Sequence, residues 1–164
     1  MKVVLGHGAS GSAASMRPYV VGFKHRGIDA TAVDLPKSNP ERATQVFVDK
    51  SGRDVVAGGQ SYGGRMASMA AIEADFAGLV LFSYPLHRPG YPDQLRTKHF
   101  SEIRCPVLFM SGDRDPFAQL ALLKKWVKVV PNGRLVVFPG EGHGLLAVLD
   151  QALDVASDFI KSLK

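Results

Sequence analysis

The chain has 164 residues, a length that fits one domain with a substantial hydrophobic core. Its composition, 46% hydrophobic and 21% charged, argues against a disordered or low-complexity protein. The formal charge of +5 comes from lysines and arginines scattered in ones and twos, without a finger, RNP or helix-turn-helix spacing, so we predict no nucleic-acid partner.

Six short apolar runs alternate with segments of helical period, and each run ends in glycine, proline or a polar turn. This alternation is typical of βα units and of a parallel sheet covered by helices on both faces. The predicted strands, in chain order, are residues 2–5, 29–34, 54–58, 78–83, 107–111 and 134–139. The predicted fold class is α/β: a three-layer α/β/α sandwich of about six parallel strands in a single domain, residues 1–164, with its ligand site outside the carboxyl ends of the strands.

Apolar stripes of helical period lie between the strands, and we expect them to face the core. They fall within residues 16–23, 120–130 and 145–163. A further helix over residues 65–75 carries small side chains, which would let it pack closely against the sheet. Residues 84–104 are rich in proline and turn residues and predict an irregular segment with one short helix near Phe100.

The third strand ends in a G-x-S-x-G pattern, Gly59-Gln60-Ser61-Tyr62-Gly63. Glycines allow the chain to reverse sharply from strand to helix, and such a turn pushes the serine hydroxyl out into solvent. The pattern alone is common in turns, so its context matters. Here a strand directly precedes it, a small-residue helix follows it, and an aspartate and a histidine come later at strand ends. We therefore predict that Ser61 is a nucleophile.

A serine nucleophile needs a base that takes its proton and a carboxylate that orients the base. His143 lies between two glycines after the sixth strand, and we predict that it is the base. The acid follows the fifth strand, where Asp115 is favoured and Asp113 is the alternative. Asp115 precedes a proline, so its other interpretation is a helix N-cap.

Acyl chemistry also needs N–H donors for the oxyanion that develops on the carbonyl oxygen. The first predicted donor is the Tyr62 N–H, directly after the nucleophile. The second comes from the loop after the first strand, where the Ala9 N–H is favoured and the Ser10 N–H is the alternative. We expect His7, in the same loop, to brace the loop through its ring.

Neither a cofactor nor a metal is predicted, because the cysteine and histidines lack ligand spacing and no separate phosphate-binding glycine loop is present. The segment after Met1 is too short for the apolar core of a signal peptide, and no apolar run reaches the ~20 residues of a membrane helix. The single cysteine, Cys105, opens an apolar run and predicts a buried thiol. We therefore expect a cytoplasmic protein without a membrane partner.

Four basic or titratable residues in the irregular segment raise a further hypothesis. They are His87, Arg88, Arg96 and Lys98, which follow the fourth strand. Some of them could line the rim of the site and attract an anionic substrate. The competing interpretation is ordinary solvated loop charge.

Four motifs at strand ends together resemble the α/β-hydrolase superfamily. They are Gly-His-Gly after the first strand, Gly-x-Ser-x-Gly after the third, Gly-Asp-x-Asp after the fifth and Gly-His after the sixth. The motifs are similar to those of small, capless members near the dienelactone-hydrolase-like branch, although dienelactone hydrolases proper use cysteine at the elbow. The resemblance implies a minimal fold without a cap domain, with Ser61, Asp115 and His143 as catalytic residues and Tyr62 and Ala9 as oxyanion donors.

These observations predict a serine hydrolase that cleaves small carboxylic esters or thioesters through an acyl-enzyme. The predicted partner is thus a small-molecule ester. The alternative is a binding or scaffold protein that keeps the α/β-hydrolase fold without turnover, since a fold does not guarantee chemistry.

Overall fold

The computed structural model describes residues 1–163, in which six parallel strands form one sheet. The strands are β1 Lys2–Gly6, β2 Asp29–Val33, β3 Gly52–Gln60, β4 Phe76–Phe82, β5 Val107–Gly112 and β6 Gly133–Phe138. Their order across the sheet is β2-β1-β3-β4-β5-β6, and every neighbouring pair is parallel. The predicted α/β fold class is confirmed.

Within residues 1–163, five α-helices cover the two faces of this sheet. They are α1 Arg17–His25, α2 Pro40–Val48, α3 Tyr62–Ala70, α4 Leu120–Val127 and α5 Leu149–Ser162. The helices α1 and α5 pack over one buried apolar layer, and α2, α3 and α4 pack over the other. Short 3₁₀ turns occur at Ala13–Met16, Phe100–Glu102 and Leu146–Val148, and the second of these agrees with the short helix predicted near Phe100.

Two helical features differ from the sequence prediction. The helix expected over residues 65–75 is α3, which begins at Tyr62 and ends at Ala70, because the chain then turns so that Phe76 can enter β4. The helix α2 was not predicted. It is capped by Asn39, whose side chain accepts a hydrogen bond from the Arg42 N–H, and its buried stripe is short: Ala43, Thr44 and Phe47. So few buried positions give little periodic signal.

A close contact between two glycines fixes the start of α3 against β1. A methyl group on Gly63 would overlap the backbone of Gly6, the last residue of β1, so no larger residue fits without displacing the helix. Because of this contact, the loop that follows β1 lies beside the first turn of α3. The nucleophile turn and the β1 loop are thereby positioned together.

Two further predictions from the sequence concern the Cys105 thiol and membrane-spanning segments. The thiol of Cys105 is half-buried against the core, and burial raises its pKa to about 11, so it is protonated and poorly reactive at neutral pH. Among the helices formed by residues 1–163, none combines the length and the apolar character needed to cross a membrane.

Candidate active site

Ser61 lies between the end of β3 and the start of α3 with φ = 51° and ψ = −115°. A side chain other than glycine rarely adopts a positive φ, so this backbone conformation is strained. Hydrogen bonds hold it on both sides: the Ser61 N–H donates to Phe82 O at 2.9 Å, and the Arg65 N–H donates to Ser61 O at 3.0 Å. The sharp reversal leaves the hydroxyl only partly buried, at the carboxyl edge of the sheet.

A continuous hydrogen-bond chain joins Ser61 to His143 and Asp115. The distance from Ser61 Oγ to His143 Nε2 is 2.8 Å, and His143 Nδ1 lies 2.9 Å and 3.0 Å from the two carboxylate oxygens of Asp115. An ionised carboxylate can only accept, so Nδ1 carries the ring proton and donates it to Asp115. The lone pair of Nε2 then accepts from the serine hydroxyl.

Asp115 is fully buried at its side chain, yet its carboxylate is well supplied with donors. Besides the His143 ring, the Phe117 N–H donates to its Oδ1 at 2.8 Å. Hydrogen bonds of this kind stabilise a carboxylate that has lost its hydration shell. The helix α4 begins only at Leu120, so Asp115 is not the N-cap that its proline neighbour suggested.

Phe117 is a site residue that the sequence analysis did not identify. Its ring stacks on the His143 imidazole with a centroid separation of 4.2 Å and an interplanar angle of 28°. The contact restricts the tilt of the imidazole, while the hydrogen bonds to Asp115 restrict its rotation. The motif Asp115-Pro116-Phe117 carried no signal for this stacking, because the partner ring lies 26 residues further along the chain.

Asp113, the alternative acid, contacts a different group. Its Oδ1 accepts from the Gly140 N–H at 2.8 Å, and the neighbouring Arg114 N–H donates to Glu141 O at 2.9 Å. The two bonds connect the loop after β5 to the loop after β6. Asp113 therefore braces the segment that leads to His143.

The two predicted oxyanion donors come from neighbouring parts of the fold. As the first residue of α3, Tyr62 has an N–H without an acceptor inside the helix. The Ala9 N–H lies in the loop after β1 and donates to no other protein group within residues 1–163. In that loop His7 is buried: the Leu35 N–H donates to its Nε2 at 2.9 Å, and its Nδ1 lies 2.7 Å from Gly8 O, which fits the predicted bracing role.

A cavity of about 250 Å³ lies along the loop after β1, and two of its lining residues are chain neighbours of Ser61 and His143. Gln60, next to Ser61, and Gly144, next to His143, both line it, together with the loop after β1. Its apolar wall consists of Met16, Tyr19 and Leu146. At 65% exposure Leu146 is the most exposed large hydrophobic side chain within residues 1–163, and it lies three residues after His143.

The predicted rim residues of the irregular segment do not share one role. His87 is buried, accepts from the Gln119 N–H at 3.0 Å through Nε2 and lies 2.8 Å from Arg88 O through Nδ1, so it braces the loop before α4. Arg88 is exposed and lies over the Tyr91 ring at 4.5 Å. Arg96 and Lys98 line a different cavity beside α3.

A family model described as "Alpha/beta hydrolase domain" matches residues 31–157. Among curated proteins, the chain is 29% identical over 66 residues to "Putative protein-lysine deacylase ABHD14B" from Pongo abelii. That match covers 40% of this chain and spans only 30% of the relative's length.

Solved structures of other proteins share the fold, and two of these proteins illustrate it. One is a "predicted CIB-like hydrolase" from Thermoplasma acidophilum, with a TM-score of 0.79 and 18% identity, covering 99% of this chain and 86% of that chain. The other is a thermophilic esterase, Est2, from Thermogutta terrifontis with propionate bound, with a TM-score of 0.76 and 18% identity, covering 98% and 82%. The same esterase has also been solved phosphorylated by paraoxon, at a TM-score of 0.75 and 19% identity, covering 97% and 81%.

Proposed function

Because this chain belongs to the α/β-hydrolase family, we propose that it is a serine hydrolase that cleaves small carboxylic esters or thioesters through an acyl-enzyme. The observation that carries the proposal is the unbroken hydrogen-bond chain from Ser61 through His143 to Asp115. Its three groups stand in the order that a nucleophile, a general base and an orienting carboxylate require.

In the proposed acylation step, Ser61 Oγ attacks the carbonyl carbon of the ester while His143 Nε2 takes the hydroxyl proton. Asp115 stabilises the imidazolium that forms and keeps its own charge. The tetrahedral intermediate then collapses, the bond to the leaving group breaks, and His143 donates its proton to the departing alcohol or thiol. The acyl group remains on Ser61.

The negative charge on the carbonyl oxygen needs donors that already point at it. We assign this role to the N–H groups of Tyr62 and Ala9, and the contact between Gly63 and Gly6 supports it by keeping the two loops adjacent. Donors of this kind are each worth about 3 kcal/mol of barrier. In the second half-reaction a water molecule attacks the acyl carbon while His143 Nε2 takes a proton from that water. The bond from the acyl carbon to Ser61 Oγ then breaks, His143 returns the proton to Ser61 Oγ, and the acid product leaves.

The cavity beside Ser61 supports a small substrate. About 250 Å³ corresponds to roughly eight water volumes, enough for a short acyl or alkoxy group. Leu146 on the cavity wall is largely exposed to water, and an acyl chain packed against it would remove apolar surface from water. The propionate bound by the esterase of similar fold agrees with a short acyl chain.

The test is labelling by a fluorophosphonate probe, followed by a panel of p-nitrophenyl esters and thioesters from acetyl to octanoyl. The panel includes an acetyl-lysine peptide, because one relative is named as a lysine deacylase. We expect covalent labelling at Ser61 and turnover of the shortest acyl groups. Ser61→Ala should lower kcat by on the order of 10⁶ and abolish labelling.

The folded state of both proteins is checked by circular dichroism. If the folded wild-type protein neither reacts with the probe nor turns over any substrate of the panel, the enzyme proposal is wrong. The chain would then be the non-catalytic binding or scaffold protein that the sequence left as the alternative.

A further inference from the structure

A second cavity, of about 240 Å³, lies between α3 and the irregular segment that follows β4. We call it the α3 cationic pocket. Three of its lining side chains are cationic, two are apolar and one is a histidine: Arg65, Arg96, Lys98, Met69, Leu95 and His99. Among the described residues that line it there is no aspartate or glutamate.

The cations of this pocket lack counter-charges. Among the ion pairs formed within residues 1–163, none involves Arg65, Arg96 or Lys98. Arg65 and Arg96 are half-buried, and the guanidinium of Arg96 makes a single long hydrogen bond, 3.4 Å, to Pro85 O. Like charges held together in partly desolvated positions destabilise one another unless an anion joins them.

The histidine of the pocket responds to this positive field. Burial, and then the charge of Arg65, lower the pKa of His99 to about 4. The Ser68 hydroxyl donates to Arg65 O at 2.6 Å and so must accept the proton of His99 Nε2, 2.8 Å away. His99 is therefore neutral at physiological pH and adds no fourth charge.

We propose that the α3 cationic pocket binds an oxyanion group, a carboxylate or a phosphate. Guanidinium groups present paired N–H donors that match the geometry of these anions, and their charge remains at any physiological pH. The volume admits a single such group with a small substituent. None of the side chains that line the pocket belongs to the proposed triad, so anion binding can be measured without turnover.

The anion has two possible sources, a group on the substrate or a separate ligand. Arg65 lies in the first turn of α3, four residues after Ser61, so the pocket begins about one helical turn from the proposed nucleophile. A carboxylate on a substrate is therefore one source of the anion. A free metabolite could occupy the pocket alone.

The test uses inorganic phosphate, titrated by calorimetry at constant ionic strength into Ser61→Ala protein, so that catalysis plays no part. We expect saturable binding that weakens about tenfold in Arg65→Gln and in Arg96→Gln, the factor for one lost charge-assisted hydrogen bond. Arg134→Gln is the matched control, because it removes the same charge from an exposed position on the edge strand β6. Its affinity should stay at the parental value.

Absence of saturable binding, or equal affinity in all four proteins, would overturn the proposal. In active protein, a p-nitrophenyl ester carrying a carboxylate is compared with its neutral analogue to identify the source. A KM that rises in Arg65→Gln for the charged ester alone places the anion on the substrate. Phosphate binding without any effect on either KM assigns the pocket to a separate ligand. The binding measurement in Ser61→Ala protein keeps this outcome separate from failure of the hydrolase proposal.

Discussion

Ser61 combines an unfavourable backbone conformation with a partly exposed reactive group. A non-glycine residue at such a positive φ costs about 1–3 kcal/mol, and the bonds to Phe82 O and from the Arg65 N–H maintain it. This backbone conformation directs the hydroxyl toward His143. Its energetic cost lowers the stability of the folded protein at the residue where the proposed chemistry occurs.

This strain predicts a difference between two variants that both lack the hydroxyl. Ser61→Gly should be more stable than Ser61→Ala by about 1 kcal/mol, because glycine adopts a positive φ without a Cβ penalty. Urea denaturation of the two proteins measures the difference. Equal midpoints, or a more stable alanine variant, would show that the backbone at residue 61 is relaxed.

A second pair of variants separates the two aspartates after β5. Asp115→Asn should lower kcat by about 10⁴, because an amide no longer fixes the tautomer of His143 or stabilises its charged form. Asp113→Asn keeps an oxygen that accepts from the Gly140 N–H, so its kcat should change by less than about tenfold. Steady-state kinetics on one p-nitrophenyl ester decides. The reverse ranking would make Asp113 the acid.

Residue types and spacing could predict the three polar groups of the candidate site, because nucleophile, acid and base each follow an identifiable strand. The stacking of Phe117 on His143 could not be predicted in this way, since an aromatic residue near a proline has many possible partners. The bond from the Gly140 N–H to Asp113 likewise depends on how two loops meet in space.

At the scale of elements, apolar runs predicted all six strands, most clearly β4 and β5, which are buried along nearly their whole length. The helices were less predictable where the buried stripe is short, as in α2, or where the chain leaves the helix early, as after Ala70 in α3. The branch of the family stays a prediction.

The packing of α3 against the irregular segment makes stability depend on pH through His99. The folded-state pKa of about 4 lies below the usual 6.5, so the unfolded chain binds a proton first as the pH falls. This contribution to stability is complete above pH 6.5 and is lost between pH 6.5 and about 4. The full separation corresponds to ~3 kcal/mol, and partial solvation of the ring reduces our expectation to about 2 kcal/mol.

His99→Gln is the matched control, since its amide can still donate to Ser68 but does not titrate in this range. The free energy of unfolding, measured in urea at pH 7 and pH 4.5, should fall more steeply for the wild-type protein than for His99→Gln. Parallel pH profiles for the two proteins would mean that His99 titrates normally in the folded state.

At the scale of the molecule, the candidate site exists only when the sheet is assembled. Ser61, Asp115 and His143 follow three different strands, and the order β3-β4-β5-β6 brings their loops to one edge. No short segment of the chain contains two of the three groups. The basic residues behind the +5 charge are scattered along the chain. The α3 cationic pocket is an exception, and its lining side chains also come from separate parts of the chain, a helix and a loop.

This dependence predicts that the proposed active site is lost only when the whole domain unfolds. Three reporters at separate places should change at the same urea concentration: fluorophosphonate labelling of Ser61, alkylation of the half-buried Cys105 and fluorescence of the single tryptophan, Trp126, in α4. Cys105 precedes β5 and so lies at the amino ends of the strands, whereas Ser61 lies at their carboxyl ends. Equal unfolding midpoints at these two residues therefore report on both ends of the sheet. Labelling of Ser61 that disappears at a lower urea concentration than the other two signals would contradict this prediction. It would show that the loops carrying Asp115 and His143 open while the sheet remains folded.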